Sequence, residues 1–117
     1  MAAILQTASG AERQESIGIL GAPTPGATVA IDLTTGAKSF KWTVGEAETV
    51  NISGSQLAGQ ELTLILVQDS GSGRVITFGT GFKSAGTITL TTSETSVVSF
   101  RSDGTNFYET GRIAGIT

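Results

Sequence analysis

From Thr28 onward the hydrophobic positions recur at every second residue. Val29, Ile31 and Leu33 alternate with Thr28, Ala30 and Asp32; Phe40, Trp42 and Val44 alternate with Ser39, Lys41 and Thr43; Val50 and Ile52 alternate with Asn51 and Ser53. Successive side chains of a strand point to opposite faces, so each run predicts a strand with one face in a core. Thr34-Thr35-Gly36 reads as a turn after the first, and Gly45-Glu46-Ala47 as a short link making a hairpin of the second and third. Further short strands are predicted around Ile76 and Phe78, Ile88 and Leu90, Val98 and Phe100, and over 106–110, with Gly79-Thr80-Gly81 and Asp103-Gly104 as breaks. About eight short strands at spacings near ten residues predict an all-β fold, a compact sandwich or jelly roll, with a small barrel also compatible.

Two stretches depart from simple alternation. Glu61 to Gln68 is apolar on both faces, with Leu62, Leu64 and Leu66 on one and Ile65 and Val67 on the other. That pattern suits a central strand covered on both sides, or one whose outer face is buried by a partner chain. Residues 1–26 form the second: apolar residues are sparse in the middle, and the stretch ends in Gly21-Ala22-Pro23-Thr24-Pro25-Gly26, where prolines and glycines stop any helix from growing. The reading is an N-terminal arm and hinge over 1–26 and a β domain over 27–117. Leu57, alone in a polar loop, is expected to plug the end of the core.

Length and composition agree with one domain. A chain of 117 residues that is 38% hydrophobic and 15% charged can bury a core, and 16 glycines against 2 prolines favour many strands and tight turns. Net charge is −3, and the 7 basic residues are scattered singly, so a nucleic-acid backbone is not an expected partner. The amino terminus carries no basic run ahead of its short apolar stretch, and no segment reaches the roughly 20 apolar residues of a membrane span. The expectation is a soluble chain made in the cytoplasm without a signal peptide.

The residue inventory narrows the chemistry. With no histidine and no cysteine, Ser-His-Asp and Cys-His arrangements and thiolate or imidazole zinc sites are excluded. A carboxylate pair could still be drawn from Asp32, Glu46, Glu48, Glu61, Asp69, Glu94, Asp103 and Glu109, but these fall at turns or on polar strand faces, where a solvated acid is the ordinary reading. Ser70-Gly71-Ser72-Gly73-Arg74 lacks the Gly-Lys-Ser/Thr ending of a phosphate-binding loop and reads as a hairpin loop. Asn51-Ile52-Ser53 matches a glycosylation sequon by chance on a strand, and Asp69 and Asp103 lack the dense acids of a calcium loop. Trp42, Phe107 and Tyr108 could make an aromatic sugar platform, although Trp42 lies in register with core positions and only one of Phe107 and Tyr108 can face inward. No enzyme, cofactor or metal is expected.

Gln60 to Gly71, Val75-Ile76-Thr77-Phe78, and Val97 through Arg101-Ser102-Asp103-Gly104-Thr105-Asn106-Phe107-Tyr108-Glu109 together resemble a module of tailed-bacteriophage virion proteins. That module carries a Gly-Gln-x-Leu-Thr-Leu strand, a Gly/Ser loop, a Val-Thr-Phe strand and a closing Asp-Gly-Thr-Asn-Trp/Phe-Tyr-Glu hairpin. Phe107 stands where tryptophan is usual, and the likeness covers Gly59 to Arg112. It implies a virion structural protein, usually trimeric. Small size favours a capsid decoration (cement) protein on the head surface, bound to itself and to the major capsid protein; a tail fibre, spike or receptor-binding module and a carbohydrate-binding module with an outer-surface glycan are the alternatives. Interface positions are then expected at Ile4, Leu5, Ile17, Ile19 and Leu20 of the arm, and at Ile65 and Val67 around a threefold axis.

Overall fold

The computed structural model describes residues 19–71 and 73–117, so Ile4, Leu5 and Ile17 lie outside the described residues. Ten strands are found there: β1 (Leu20–Gly21), β2 (Thr28–Asp32), β3 (Ser39–Val44), β4 (Glu48–Ser53), β5 (Ala58–Gln68), β6 (Val75–Phe78), β7 (Phe82–Lys83), β8 (Ile88–Thr89), β9 (Thr95–Asp103) and β10 (Phe107–Ile116). They build a six-stranded sheet in the order β1-β3-β5-β9-β10-β7 and a four-stranded sheet in the order β2-β4-β6-β8. The all-β expectation holds.

The connectivity departs from a sandwich or jelly roll of antiparallel hairpins. From β1 to β6 the chain alternates between the sheets, and neighbours within each sheet run parallel: β1 with β3, β3 with β5, β2 with β4, and β4 with β6. This is the winding of a two-sheet solenoid. The expected hairpin of β3 and β4 is therefore not formed, because the link at 45–47 carries the chain across to the other sheet. The loop at 69–74 likewise joins β5 of one sheet to β6 of the other and is no hairpin. Afterwards most pairing is antiparallel: β8 lies against β6, β9 against β5 and β10 against β9, the last two joined through the Asp103-Gly104 turn as expected, while β7 runs parallel to β10.

Local chemistry sets the corners. Between β2 and β3, the Asp32 carboxylate accepts the Thr34 amide hydrogen at 2.9 Å and opens a single 3-10 turn, Leu33–Thr35. Gly36 closes that turn at φ +80, a conformation few side chains tolerate, and donates to Leu33 O. At the β9–β10 turn, Asp103 accepts the amides of Thr105 and Asn106, each at 2.9 Å, and these bonds hold its carboxyl below the usual range.

One core lies between the sheets. Val29, Ile31, Val50 and Ile76 enter from the four-stranded side, and Phe40, Leu64, Leu66, Val98, Phe100 and Phe107 from the other. Phe82 packs tilted on Phe100 with ring centroids 4.9 Å apart, and Phe78 meets Phe100 edge-on, filling one end with aromatic surface. Leu57 does not plug the core: it is 73% exposed, held outward in a turn whose amide donates to Gln60 Oε1 while Gln60 donates to its carbonyl.

Candidate functional site

Strand register stacks side chains into rows, and the outer face of the six-stranded sheet carries the most organised set. One row runs Glu61, Arg101, Tyr108 across β5, β9 and β10. The next runs Thr63, Ser99, Gly111. The third runs Lys41, Ile65, Val97, Ile113 across β3, β5, β9 and β10, and the fourth Thr43, Val67, Thr95, Ile116. The face thus passes from a charged row, through a valley of small residues, to a two-row aliphatic corner.

Exposure follows the same division. Ile65, Val67 and Val97 are half-buried, Ile113 is 62% exposed and Ile116 is exposed. A shallow depression of about 390 Å³ lies between β9 and β10, lined by Val97, Ser99 and Ile113 among others. It opens where the pairing slips between Glu109 and Gly111, since an added β-carbon at Gly111 would meet nothing within 4 Å. At the charged end Arg101 pairs with Glu61 beside Tyr108, which is 47% exposed.

The expected interface residues therefore separate. Ile65 and Val67 stand together on this outer face, as the two-sided apolar run suggested. Ile19 is partly buried against the core of its own domain, and Leu20 is exposed on β1 at the opposite edge of the sheet. Sequence reasoning missed Val97, Ile113 and Ile116. Their signal was present in the alternation of 95–103, but the last strand was expected to stop at 110, whereas β10 runs to Ile116.

The candidate acids and aromatics occupy structural positions. Trp42 and Phe107 are buried and Tyr108 is exposed, so the three form no shared platform. Glu48, expected on a polar face, is 2% exposed: Oε1 accepts the Trp42 indole N–H at 2.7 Å and Oε2 accepts the Gly26 amide at 3.4 Å. Burial raises its pKa, chiefly by desolvation, against the lowering effect of those two bonds. Asp69 accepts the Gly71 amide at 2.9 Å and pairs with Arg74 at 3.5 Å. Glu109 accepts from Arg112 and from the Ala85 amide, while Arg112 donates to Gly86 O and Thr87 O, tying β10 to the β7–β8 loop. The Arg112 guanidinium is the main cause holding the Glu109 carboxyl below its usual range. Asn51 of the sequon accepts the Thr80 amide at 2.7 Å. Among the described residues, no group of three or more acids is placed to hold a metal ion.

This geometry defines a two-sheet all-β domain with an aliphatic outer corner. Compared with known proteins, the chain matches no family model, no curated protein and no solved structure.

Proposed function

We propose that the chain is a structural protein of a phage virion, a decoration protein that binds the head surface, assembles as a homotrimer and contributes buried contact area in place of catalysis. The observation that carries this reading is where the phage-like residues fall. Gln60–Gln68, Val97–Asp103 and Phe107–Arg112 fall within β5, β9 and β10, three neighbouring strands, and supply Ile65, Val67 and Val97 to the outer corner, with Ile113 next along β10. Aliphatic side chains gathered on a sheet face, on a domain whose core is already closed behind them, are the raw material of an interface. Purified particles test the reading: mass spectrometry of gradient-banded virions is expected to find this chain in many copies, comparable with the major capsid protein. Its absence, or a few copies per particle, would sink decoration, and a few copies would favour a tail fibre or receptor-binding module.

A carbohydrate-binding role is the second reading, favoured by one feature. Tyr108 is exposed beside the Glu61–Arg101 pair, an aromatic face next to two hydrogen-bonding groups. A glycan array on which binding disappears with Tyr108→Ala supports it, and an array with no binding removes it.

A further inference from the structure

We propose that the aliphatic corner formed by Ile65, Val67, Val97, Ile113 and Ile116 is the seat for the N-terminal segment, residues 1–18, of a second copy of this chain. The inference deepens the assembly reading above, because it names what holds the copies together. Three observations carry it.

The corner needs a cover. Its five side chains come from three adjacent strands, two of them exposed and three half-buried, with Lys41 at one end of the row and no other charge within the two rows. A patch of β-branched side chains on a sheet face normally marks an interaction surface.

The segment that precedes Ile19 has matching chemistry. It brings Ile4, Leu5 and Ile17, and its two acids, Glu12 and Glu15, against one arginine, Arg13, suit a surface bordered by Lys41. Fifteen residues in extended form reach about 50 Å, whereas a six-stranded sheet is about 24 Å across, so length does not limit which copy is reached.

Direction selects the second copy. β1 runs parallel to β3 and β5, with Leu20 level with Ser39 and Thr63. Followed backwards from Leu20, the chain leaves toward the Glu61 end of the strands, while the aliphatic corner lies at the Val67 end. β1 is also the sheet's outermost strand on the side away from β10. The direction at Leu20 thus points away from the chain's own corner, and reaching that corner would require the chain to double back over its own sheet, which a second copy does not require. The contact pairs two different surfaces, which is the kind of interface that forms a ring such as a cyclic trimer when the rotation between copies closes, and a filament when it does not.

The absence of cysteine makes a clean test possible. Two full-length variants, Ile4→Cys and Ile113→Cys, are prepared separately and mixed under oxidising conditions; each chain holds one thiol, so a bridge between the two variants forms only between copies. Because Ile113 is exposed, its replacement leaves the core intact. The expected result is a disulfide-linked dimer whose bridged peptides, identified by mass spectrometry, join position 4 to position 113, abolished in a mixture whose Ile113→Cys chain also carries Val97→Lys, together with a trimer mass by light scattering for the unmodified chain. A unmodified chain that stays monomeric at micromolar concentration overturns the proposal. So does bridging confined to Ile113→Cys with itself, which would place corner against corner. These measurements use no capsid: a chain abundant on virions but without the bridge would overturn this inference alone, and the bridge in a chain absent from virions would overturn the decoration reading alone.

Discussion

Glu48 exchanges bulk water for two N–H donors, one on the indole of Trp42 and one on the backbone of Gly26, and so joins both sheets to the segment that precedes β2. Burial raises its pKa, and the charge of Glu46 pushes in the same direction. A group whose folded pKa lies above its unfolded value binds its proton more tightly in the folded state. Its contribution is therefore most favourable below about pH 4.5, near the unfolded value, and is lost as pH rises toward the folded one. Glu48→Gln removes that titration while Oε1 still accepts from Trp42. The difference in Tm, variant minus wild type, is expected to be more positive at pH 7 than at pH 4 in thermal melts followed by circular dichroism; an equal difference at both pH values would show that Glu48 does not titrate with folding. Asp32, Asp103 and Glu109, whose pKa values are lowered, act in the opposite sense and lose their contribution as pH falls. The role of Glu48 was not legible in the sequence. Alternation with Val50 and Ile52 puts Glu48 on the inward face, yet an acid there reads as solvated until the Trp42 indole and the Gly26 amide are seen to satisfy it.

At the scale of elements, period-two alternation told which side chains enter the core but not which strands are neighbours. Phe40, Trp42 and Val44 point inward whether β3 forms a hairpin with β4 or lies parallel to β5, so the link at 45–47 read as a hairpin turn although it changes sheets. Nor did a repeat betray the winding. Paired residues are 19 apart at Leu20 and Ser39, 21 at Val29 and Val50, 24 at Phe40 and Leu64, and 28 at Val50 and Phe78, because the strands between them differ in length, from 5 residues in β2 to 11 in β5. The two-sided run of β5 was legible and divides into unequal faces. Leu64 is fully buried, so Leu64→Ala is expected to cost about 2–5 kcal/mol, whereas Ile65→Thr on the outer face should cost less than about 1.5 kcal/mol in a monomer. Urea unfolding of both variants checks this, and equal costs would mean that the outer face is packed within the domain. At the end of the same strand, buried Gln68 accepts the Arg74 amide at 2.7 Å and donates to Gly71 O, holding the crossing loop to β6. Gln68→Leu leaves that amide without its partner and is expected to cost about 1–3 kcal/mol. A neutral result in the same urea titration would mean that the loop finds another acceptor.

On the scale of the whole molecule, the division between arm and domain is a statement about stability. Residues 1–26 read as an arm because their composition differs from the rest, but the last part of that stretch is engaged with the domain: Ile19 packs against the core, Leu20 and Gly21 pair with Ser39 and Phe40, and Gly26 donates to Glu48. Gly21 admits the Phe40 ring closely, since a β-carbon there would lie 2.2 Å from it. Chains 19–117 and 27–117 separate the two roles, and both lack residues 1–18, so any association through that segment drops out of their comparison. The longer chain keeps every contact just named. The shorter one uncovers part of Phe40 and leaves one oxygen of buried Glu48 without its donor, a loss of about 2 kcal/mol. For a domain of this size that corresponds to roughly 10 °C in Tm, measured by differential scanning calorimetry at matched concentration. Equal Tm values would show that 19–26 belongs with the arm, and a 19–117 chain that fails to fold would show that the first eighteen residues belong to the core.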